Sequence, residues 1–482
     1  MNWINRAGAM ALVLLLSACS NTPSHSEQTS GPWRQQIDKV LADPALDGSQ
    51  VSITVRDASS GNTLYQHAPR QRGVPASSLK LVTSAAAMGV LGPDYRFVTQ
   101  LASSGALQGS QWVGDVYLRG TGDPTLTPDD YRQLAAALAA SGMRSVHGNL
   151  LLDDTWFDAR RLGAEWANDD EGEPYAAQIS ALNLVVDDKY NVGSVKVTAS
   201  GQAGARPAVQ VEPANGVTQL VDKGGIGPLR IDREHGSNRI DISGNLAPGA
   251  VDVRWTSVWE PTALVAEVFR RALAEQGILV DGQTRLGVVT PPAARVLAEH
   301  RSMPLAELIR PLLKQSNNGI AEVLLKSMGR QTAQQGSAQA GIAAVSAFLV
   351  SQGLDAEQLR QFDGSGLSRR NLVSSQTFTD VLVAARHQPW FPVWYAALPI
   401  AGTGDRLTGG TLRNRLRGTA AQNNLHAKTG SMGAVSSLTG YVTNAEGRLL
   451  AFSMVSNNFL SSEGRVKRLE DQVVKALLVS TD

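Results

Sequence analysis

The hexapeptide PASSLK, residues 75–80, begins a stretch that is otherwise typical of a buried helix. In the surrounding sequence GVPASSLKLVTSAAAMGVLG, apolar side chains recur at helical spacing at Leu79, Val82 and Ala86, and a second apolar series follows the other side of the helix. A lysine at the first turn of so apolar a helix either extends towards solvent or takes part in chemistry. Lys80 is therefore the starting point for predicting fold and function.

Ser77 and Lys80 are three residues apart, so on a helix they project from the same face, whereas Ser78 points away. The pattern predicts Ser77 as a nucleophile and Lys80 as its base, provided that burial or a second cation lowers the lysine pKa. Ser-x-x-Lys alone is weak, because about two matches arise by chance in a chain of this length. Ser77 as a helix N-cap and Lys80 as a surface lysine is the alternative.

A second polar feature interrupts a pair of apolar helical segments in KQSNNGIAE, residues 314–322. Ser316 and Asn318 alternate across the turn, so both can face one pocket, with the hydroxyl relaying protons and the amide holding a substrate carbonyl. Ser-x-Asn occurs four times in the chain, and most such matches are turns or caps. Only this one lies between two apolar helical runs.

The third feature is the triplet Lys428-Thr429-Gly430 within HAKTGSMGAVSSLTGYV, at the start of a predicted strand. A glycine there lets another backbone approach closely, while the lysine and threonine can bind an anion. This triplet is expected only about 0.1 times by chance. It is the most specific of the three signals, although a turn entering a strand has the same appearance.

The N-terminus reads as a secretory signal, because its apolar run at residues 7–16 is too short for a stable membrane span. The run leads through small residues to Cys19, the single cysteine of the chain, as in a bacterial lipoprotein signal. We therefore expect a signal peptide over residues 1–18, a lipid on Cys19 and a flexible tether over residues 19–32. Ser20 resembles the residue found in lipoproteins of the outer membrane, which predicts a periplasmic, outer-membrane-anchored protein of the cell envelope.

Composition excludes several functional classes. With 44 basic and 43 acidic side chains in 482 residues, the chain has no basic stripe for nucleic acid. No Gly-x-Ser-x-Gly or His-Glu-x-x-His motif is present, and the seven histidines are scattered, so an α/β-hydrolase triad and a zinc peptidase are disfavoured. We expect neither a metal nor a cofactor. His426 shares a strand face with Lys428 and is a weaker alternative base.

Alternating apolar residues predict β-hairpins near both ends of the chain, at residues 49–70 and 436–458, and an amphipathic helix over residues 464–480. Helical patterns dominate residues 261–386. Short β-like runs rich in Gly, Pro and Asp fill residues 97–258. The predicted domains are therefore a catalytic domain, over residues 33–96 and 259–482, that contains one or two inserted β-rich domains over residues 97–258.

In chain order, the three motifs resemble the signatures of penicillin-binding proteins and serine β-lactamases. The long gap between Ser77 and Ser316 is similar to that of class C, low-molecular-mass penicillin-binding proteins, the D-alanyl-D-alanine carboxypeptidases/endopeptidases of peptidase family S13. The resemblance covers nearly the whole mature chain. The local matches are PASSLK (75–80), RGTGDPTL (119–126), SALNLVVDD (180–188), QSNNGIAE (315–322), DGSGLSR (363–369) and HAKTGS (426–431).

The resemblance implies an α/β (α+β) serine β-lactamase/transpeptidase-like fold: an antiparallel sheet with flanking helices, an all-helical subdomain that carries Ser316, and the site in the cleft between them. It implies that Ser77 attacks the bond between two D-alanines of a peptidoglycan stem peptide, with Lys80 as base. Ser316 and Asn318 would relay protons and hold the substrate amide.

The same resemblance assigns the terminal carboxylate of the substrate to Lys428 and Thr429, with Gly430 in the same motif. It places the oxyanion hole at the backbone amides of Ser77 and Ser431. β-Lactam antibiotics would be covalent inhibitors. The alternatives are a β-lactamase or esterase on the same scaffold, and a catalytically idle lipoprotein that binds peptidoglycan; carboxypeptidase and endopeptidase activity remain open.

Overall fold

The structure, a computed structural model, describes residues 31–479. The predicted signal peptide, Cys19 and nearly all of the predicted tether lie outside the described residues. Among the described residues, no helix is both long and apolar enough to cross a membrane. Within the same range, no cluster of three or more histidine, cysteine or acidic side chains could hold a metal ion.

Ten α-helices are present in residues 31–479. They are α1 (Pro32–Leu41), α2 (Lys80–Val90), α3 (Pro128–Ala140), α4 (Pro261–Glu275), α5 (Leu305–Lys314), α6 (Asn318–Ala333), α7 (Ala338–Ser351), α8 (Ser375–Arg386), α9 (Phe391–Ala397) and α10 (Glu463–Leu477).

The same range contains 22 strands. They are β1 (Gln50–Asp57), β2 (Thr63–His67), β3 (Arg72–Gly73), β4 (Val98–Ser103), β5 (Ala106–Gln108), β6 (Gln111–Val113), β7 (Val116–Gly120), β8 (Ser145–His147), β9 (Leu150–Asp153), β10 (Ser194–Ser200), β11 (Ala208–Glu212), β12 (Gln219–Pro228), β13 (Arg230–Arg233), β14 (Arg239–Asn245), β15 (Val251–Ser257), β16 (Leu279–Val280), β17 (Thr284–Leu286), β18 (Arg295–Arg301), β19 (Val373–Ser374), β20 (His426–Met432), β21 (Val435–Thr443) and β22 (Leu449–Asn457).

The two ends of the described chain form one antiparallel sheet in the order β2-β1-β22-β21-β20. Both predicted hairpins are present: Val55 lies opposite Tyr65 in the first, and β21 pairs along its length with β22 in the second. Helix α10 covers this sheet together with α1, as its apolar spacing predicts, and Val466 and Val473 are buried in the shared core.

A helical part packs on the other side of this sheet. Helices α2, α5, α6, α7, α8 and α9 contribute to a single apolar core. Trp394 and Phe378 are among its large buried side chains. Helix α2 contacts α5, α6, α7 and α8, so the segment that carries Lys80 lies at the centre of this part. The combination of an antiparallel sheet, flanking helices and a helical subdomain agrees with the predicted fold class.

The inserted part of the chain differs from its expected boundaries. Strands β16, β17 and β18 lie after residue 258, yet they pair with β8, β9 and β4 respectively. Helix α4 contributes Leu264 and Phe269 to the core that also holds Tyr131 of α3. Hydrogen bonds and core packing join these elements to the inserted strands. Residues 259–301 therefore pack with the insert, whereas the sequence predicted them to be part of the catalytic domain. We propose that the insert spans residues 98–301.

Candidate active site

The nucleophile candidate, Ser77, lies in a 3-10 turn at Ala76–Leu79 that leads directly into α2. The sequence predicted a helix through this whole stretch; instead the α-helix begins at Lys80. Ala76 has a φ of 47°, in the left-handed region that non-glycine residues rarely adopt. Ser77 is half-buried, whereas Ser78 is fully buried and its hydroxyl bonds to that of Ser437 at 2.7 Å. The two serines therefore point in different directions, as their spacing predicted.

Lys80 is completely buried and its amine has three oxygen neighbours. They are Ser77 Oγ at 2.9 Å, Asn318 Oδ1 at 2.6 Å and the Ser365 carbonyl at 2.7 Å. An ammonium group donates to all three. When the amine is neutral, its lone pair needs a donor, and of these neighbours only the Ser77 hydroxyl carries a proton. The two carbonyl oxygens therefore direct the lone pair of a neutral Lys80 towards Ser77.

The pKa of Lys80 is lowered to about 7, and burial is the main cause. The carboxylates of Asp363 and Glu322 act in the opposite direction and raise it. Of the two causes that the sequence left open, burial and a second cation, burial is the one that lowers this pKa. Repulsion between the two lysines acts instead on Lys428. Burial first and the charge of Lys80 second hold the pKa of Lys428 well below its ordinary value.

Glu322 and the loop at residues 363–369 lie next to Lys80, and the sequence analysis assigned no role to Glu322 or Asp363. Glu322 is buried and accepts hydrogen bonds from the amides of Gly364, at 3.0 Å, and Ser365, at 2.8 Å. Burial, followed by the nearby Asp363, raises the pKa of Glu322 to about 7. These bonds fix the Ser365 carbonyl that accepts from Lys80. Both acidic residues lie inside matched segments, QSNNGIAE and DGSGLSR, which is the signal that could have identified them.

Gly366 lets this loop pass directly behind the nucleophile turn. Its φ is 85°, and a Cβ atom there would lie 1.9 Å from the Ala76 carbonyl oxygen. Only glycine fits such an approach. Asp363 holds the loop in shape by accepting from the amides of Gly366, at 2.8 Å, and Ser368, at 2.6 Å. The position of Ser77 is thus set by two segments far apart in sequence.

Ser316 lies in the connection from α5 to α6 and has a φ of 59°, and Asn318 is the first residue of α6. Ser316 Oγ accepts from the Lys428 amine at 2.8 Å. The Asn318 amide was expected to hold substrate, but here it accepts from Lys80 and donates to the Tyr175 carbonyl at 2.8 Å. Asn318 therefore orients Lys80 in this structure, and both Ser316 and Asn318 lie on the same cleft as Ser77.

Lys428, Thr429 and Gly430 lie in β20, next to the Ser77 turn. Lys428 is completely buried and donates to the Thr429 carbonyl at 2.7 Å as well as to Ser316. A Cβ atom on Gly430 would lie 2.5 Å from the Pro75 carbonyl oxygen. The structure thus places Gly430 at a close approach of two backbone segments, where a side chain would not fit. Thr429 Oγ1 donates to the Thr411 hydroxyl at 2.8 Å.

A cleft of about 450 Å³ opens beside Ser77. Ser77, Ser316, Asn318 and Ser431 all line it, so residues from three separate motifs share one cavity. His426, the alternative base, instead stacks on Tyr395 with ring centroids 4.2 Å apart. Burial lowers the His426 pKa to about 4. Its ring has a separate partner and does not line this cleft.

Comparison with known proteins identifies the family of the chain. A D-alanyl-D-alanine carboxypeptidase of Actinomadura sp. is 44% identical over 436 residues, which cover 88% of this chain and 80% of that protein. A D-alanyl-D-alanine carboxypeptidase, DacB, of Haemophilus influenzae is 30% identical over 448 residues, covering 90% and 89% of the two chains.

Solved structures support the same assignment. Penicillin binding protein 4 (dacB) from Haemophilus influenzae superposes with a TM-score of 0.80 at 26% identity, covering 92% of this chain and 98% of that one. The predicted serine β-lactamase/transpeptidase-like fold is therefore confirmed. The family described as the D-Ala-D-Ala carboxypeptidase 3 (S13) family matches residues 33–478. With nearly all of its length matched, this chain belongs to the D-Ala-D-Ala carboxypeptidase 3 (S13) family.

Proposed function

We propose that this protein hydrolyses the bond between the two terminal D-alanines of peptidoglycan stem peptides through an acyl-enzyme on Ser77. The observation that carries the proposal is the contact of 2.9 Å between Ser77 Oγ and the buried amine of Lys80. A lysine with a pKa of about 7 is substantially neutral at physiological pH and can accept a proton. A nucleophile paired with such a base is the basic requirement for acyl transfer.

In the first step, Ser77 Oγ forms a bond to the carbonyl carbon of the penultimate D-alanine while its proton passes to Lys80. The backbone amides of Ser77 and Ser431 stabilise the negative charge on the carbonyl oxygen. The C–N bond then breaks, and the departing amine takes a proton through Ser316. The contact of Ser316 with Lys428 supports this relay, because the buried ammonium can replace the proton that the hydroxyl gives up.

Water completes the cycle by attacking the ester carbonyl. The ester C–O bond breaks, Ser77 regains a proton, and the shortened peptide leaves as a carboxylate. Water takes the place of the amine and gives a proton through Ser316 to Lys428, which supplied one in the first step, while Lys80 returns to Ser77 Oγ the proton that it took.

Lys428 and Thr429 hold the terminal carboxylate of the substrate in this mechanism. The protonated amine of Lys428 attracts a carboxylate, and the Thr429 hydroxyl supplies a directional donor. Penicillin carries a carboxylate beside its amide, so it fits the same arrangement and acylates Ser77. A structure of the Haemophilus influenzae relative is a complex with a β-lactam, which supports β-lactam binding here.

We also propose that the enzyme works in the periplasm, anchored to the outer membrane by a lipid on Cys19. Support comes from the short apolar run and the small residues that precede this cysteine. Globomycin, which blocks lipoprotein signal cleavage, should shift the protein to a heavier precursor. A Cys19→Ala variant that still partitions with membranes would contradict the anchor.

Mass spectrometry after incubation with benzylpenicillin tests the nucleophile. We expect one acyl adduct on Ser77 of the purified wild-type protein and none in Ser77→Ala. Ser78→Ala is the matched control, since this neighbouring hydroxyl is buried away from the cleft. D-Alanine release from a D-Ala-D-Ala peptide should follow the same pattern. An adduct that persists in Ser77→Ala, or penicillin turnover without D-alanine release, would contradict the proposal.

A further inference from the structure

A second cavity, of about 310 Å³, adjoins the cleft that holds Ser77. The two spaces share the side chains of Tyr175, Ser316 and Asn318 as lining residues. A loop of the inserted part forms its far wall, and this loop is tied to the catalytic turn because Asn317 Nδ2 donates to the Tyr190 carbonyl at 2.6 Å. Catalytic and inserted parts of the chain therefore build this cavity together.

Thr411 places the second cavity on the leaving-group side of the scissile bond. Its side chain lines the cavity, and its hydroxyl accepts from Thr429, which holds the carboxylate of the departing residue in the proposed function. Ser431 and Met432, at the end of β20, and Gly433 just after it line the first cleft and not the second cavity. A leaving group larger than D-alanine would thus extend from Thr429 into the second cavity.

The charged side chains that line this cavity are all basic: Lys189, Lys314, Arg406 and Arg413. Arg406 is partly neutralised by Asp188, whose carboxylate lies 2.7 Å away. Lys314 is buried and donates to the Leu398 carbonyl.

Arg413 and Lys189 are the two remaining basic side chains of this cavity. Arg413 donates to the Gly410 carbonyl at 2.8 Å, and the Lys189 amine lies 3.3 Å from the centre of the Trp255 ring. Within residues 31–479, neither has a carboxylate within salt-bridge distance. A carbonyl and an aromatic ring do not neutralise a positive charge, so Arg413 and Lys189 can both attract an anion that enters the cavity.

We propose that this cavity is a subsite for acidic leaving groups, in which Arg413 and Lys189 bind a carboxylate carried by the departing amine component. The inference rests on the proposed function and extends it. The chemistry selects cross-linked substrates, in which the departing amine belongs to a second stem peptide with carboxylates of its own. It therefore assigns endopeptidase preference to residues outside the three motifs.

Three peptides with one acyl-donor half and different leaving residues test the subsite. They end in D-Ala-D-Ala, D-Ala-D-Glu and D-Ala-D-Gln, and the last two have the same size and shape but differ in charge. For the wild-type protein, we expect kcat/KM for D-glutamate release to exceed that for D-glutamine by roughly tenfold, the effect of one charge-assisted hydrogen bond. The preference should weaken as salt is added.

Arg413→Gln and Lys189→Gln should each reduce this preference, and the double variant should abolish it, while D-alanine release changes less than about twofold. Lys223→Gln removes a lysine charge from an exposed strand of the insert and serves as the control. Equal rates for D-glutamate and D-glutamine in the wild-type protein would overturn the inference while leaving the proposed function intact. Absence of D-alanine release from D-Ala-D-Ala would instead overturn both.

Discussion

The pH dependence of acylation follows from the environment of Lys80. Its pKa is lowered from 10.5 to about 7, chiefly by burial. A lysine with its ordinary pKa would be neutral in only about one molecule in 3,000 at pH 7, whereas about half of the Lys80 side chains are neutral there. Only the neutral amine accepts a proton from Ser77. The rate constant for acylation should therefore rise with pH and level off above about pH 8.

The magnitude at low pH follows from the same value. At about pH 5.5, one and a half units below the pKa, about 3% of the lysine is neutral, so acylation should proceed at about 3% of its plateau rate. Stopped-flow measurement with a fluorescent penicillin between about pH 5.5 and about pH 9 would give the profile. Circular dichroism at each pH provides the control that the fold persists across this range.

Lys80→Met separates the base from the packing of its side chain. Methionine is unbranched and close in length to lysine, so it fills the buried space but cannot accept a proton. Acylation should fall by roughly 100-fold to 10,000-fold and should lose its dependence on pH. A flat wild-type profile, or a Lys80→Met variant that retains the rising limb, would refute the assignment of Lys80 as the base.

Three further substitutions test other parts of the structure. Gly430→Ala places a Cβ atom 2.5 Å from a backbone oxygen of the nucleophile turn, so penicillin acylation should slow at least about tenfold, whereas Gly464→Ala, with no atom nearer than 3.7 Å, should leave it unchanged. Ser316→Ala removes the hydroxyl that accepts a hydrogen bond from the Lys428 amine. D-Alanine release should fall by about 10- to 100-fold while Tm stays within a few degrees, and an unchanged rate would contradict the proton relay. Arg415→Leu leaves the buried Glu470 carboxylate without its cation, which should lower the free energy of unfolding in urea by about 3–5 kcal/mol. A loss below about 1 kcal/mol would show that this ion pair contributes little.

Local geometry explains why the sequence predicted much of the site. The spacing of Ser77 and Lys80 puts both on one face whether the turn is 3-10 or α-helical, so the contact between them could be predicted although the helix type was wrong. The close approach at Gly430 follows from the absence of a side chain. The first prediction depends on two residues three positions apart, and the second depends on a property of the glycine itself, although its partner, the Pro75 carbonyl, is distant in the sequence.

Features that depend on distant segments could not be predicted in this way. The orientation of Asn318 towards Lys80 requires the path of the Tyr175 backbone, which belongs to the inserted part. The extent of the insert depends on parallel pairing of Thr284–Leu286 with Leu150–Leu152, segments whose partners no local periodicity reveals. The cause of the Lys80 pKa likewise lies in burial by the whole fold.

The pairing of the first and last strands has a consequence for biosynthesis. Gln50 lies opposite Asn457, so β1 can complete its sheet only when almost the whole polypeptide has been made. The strand that carries Lys428 belongs to that same sheet. Ser77 is therefore synthesised early but remains inactive until the carboxyl-terminal strands have been made and paired. A polypeptide truncated before β20 would expose an unpaired strand edge and would have no activity.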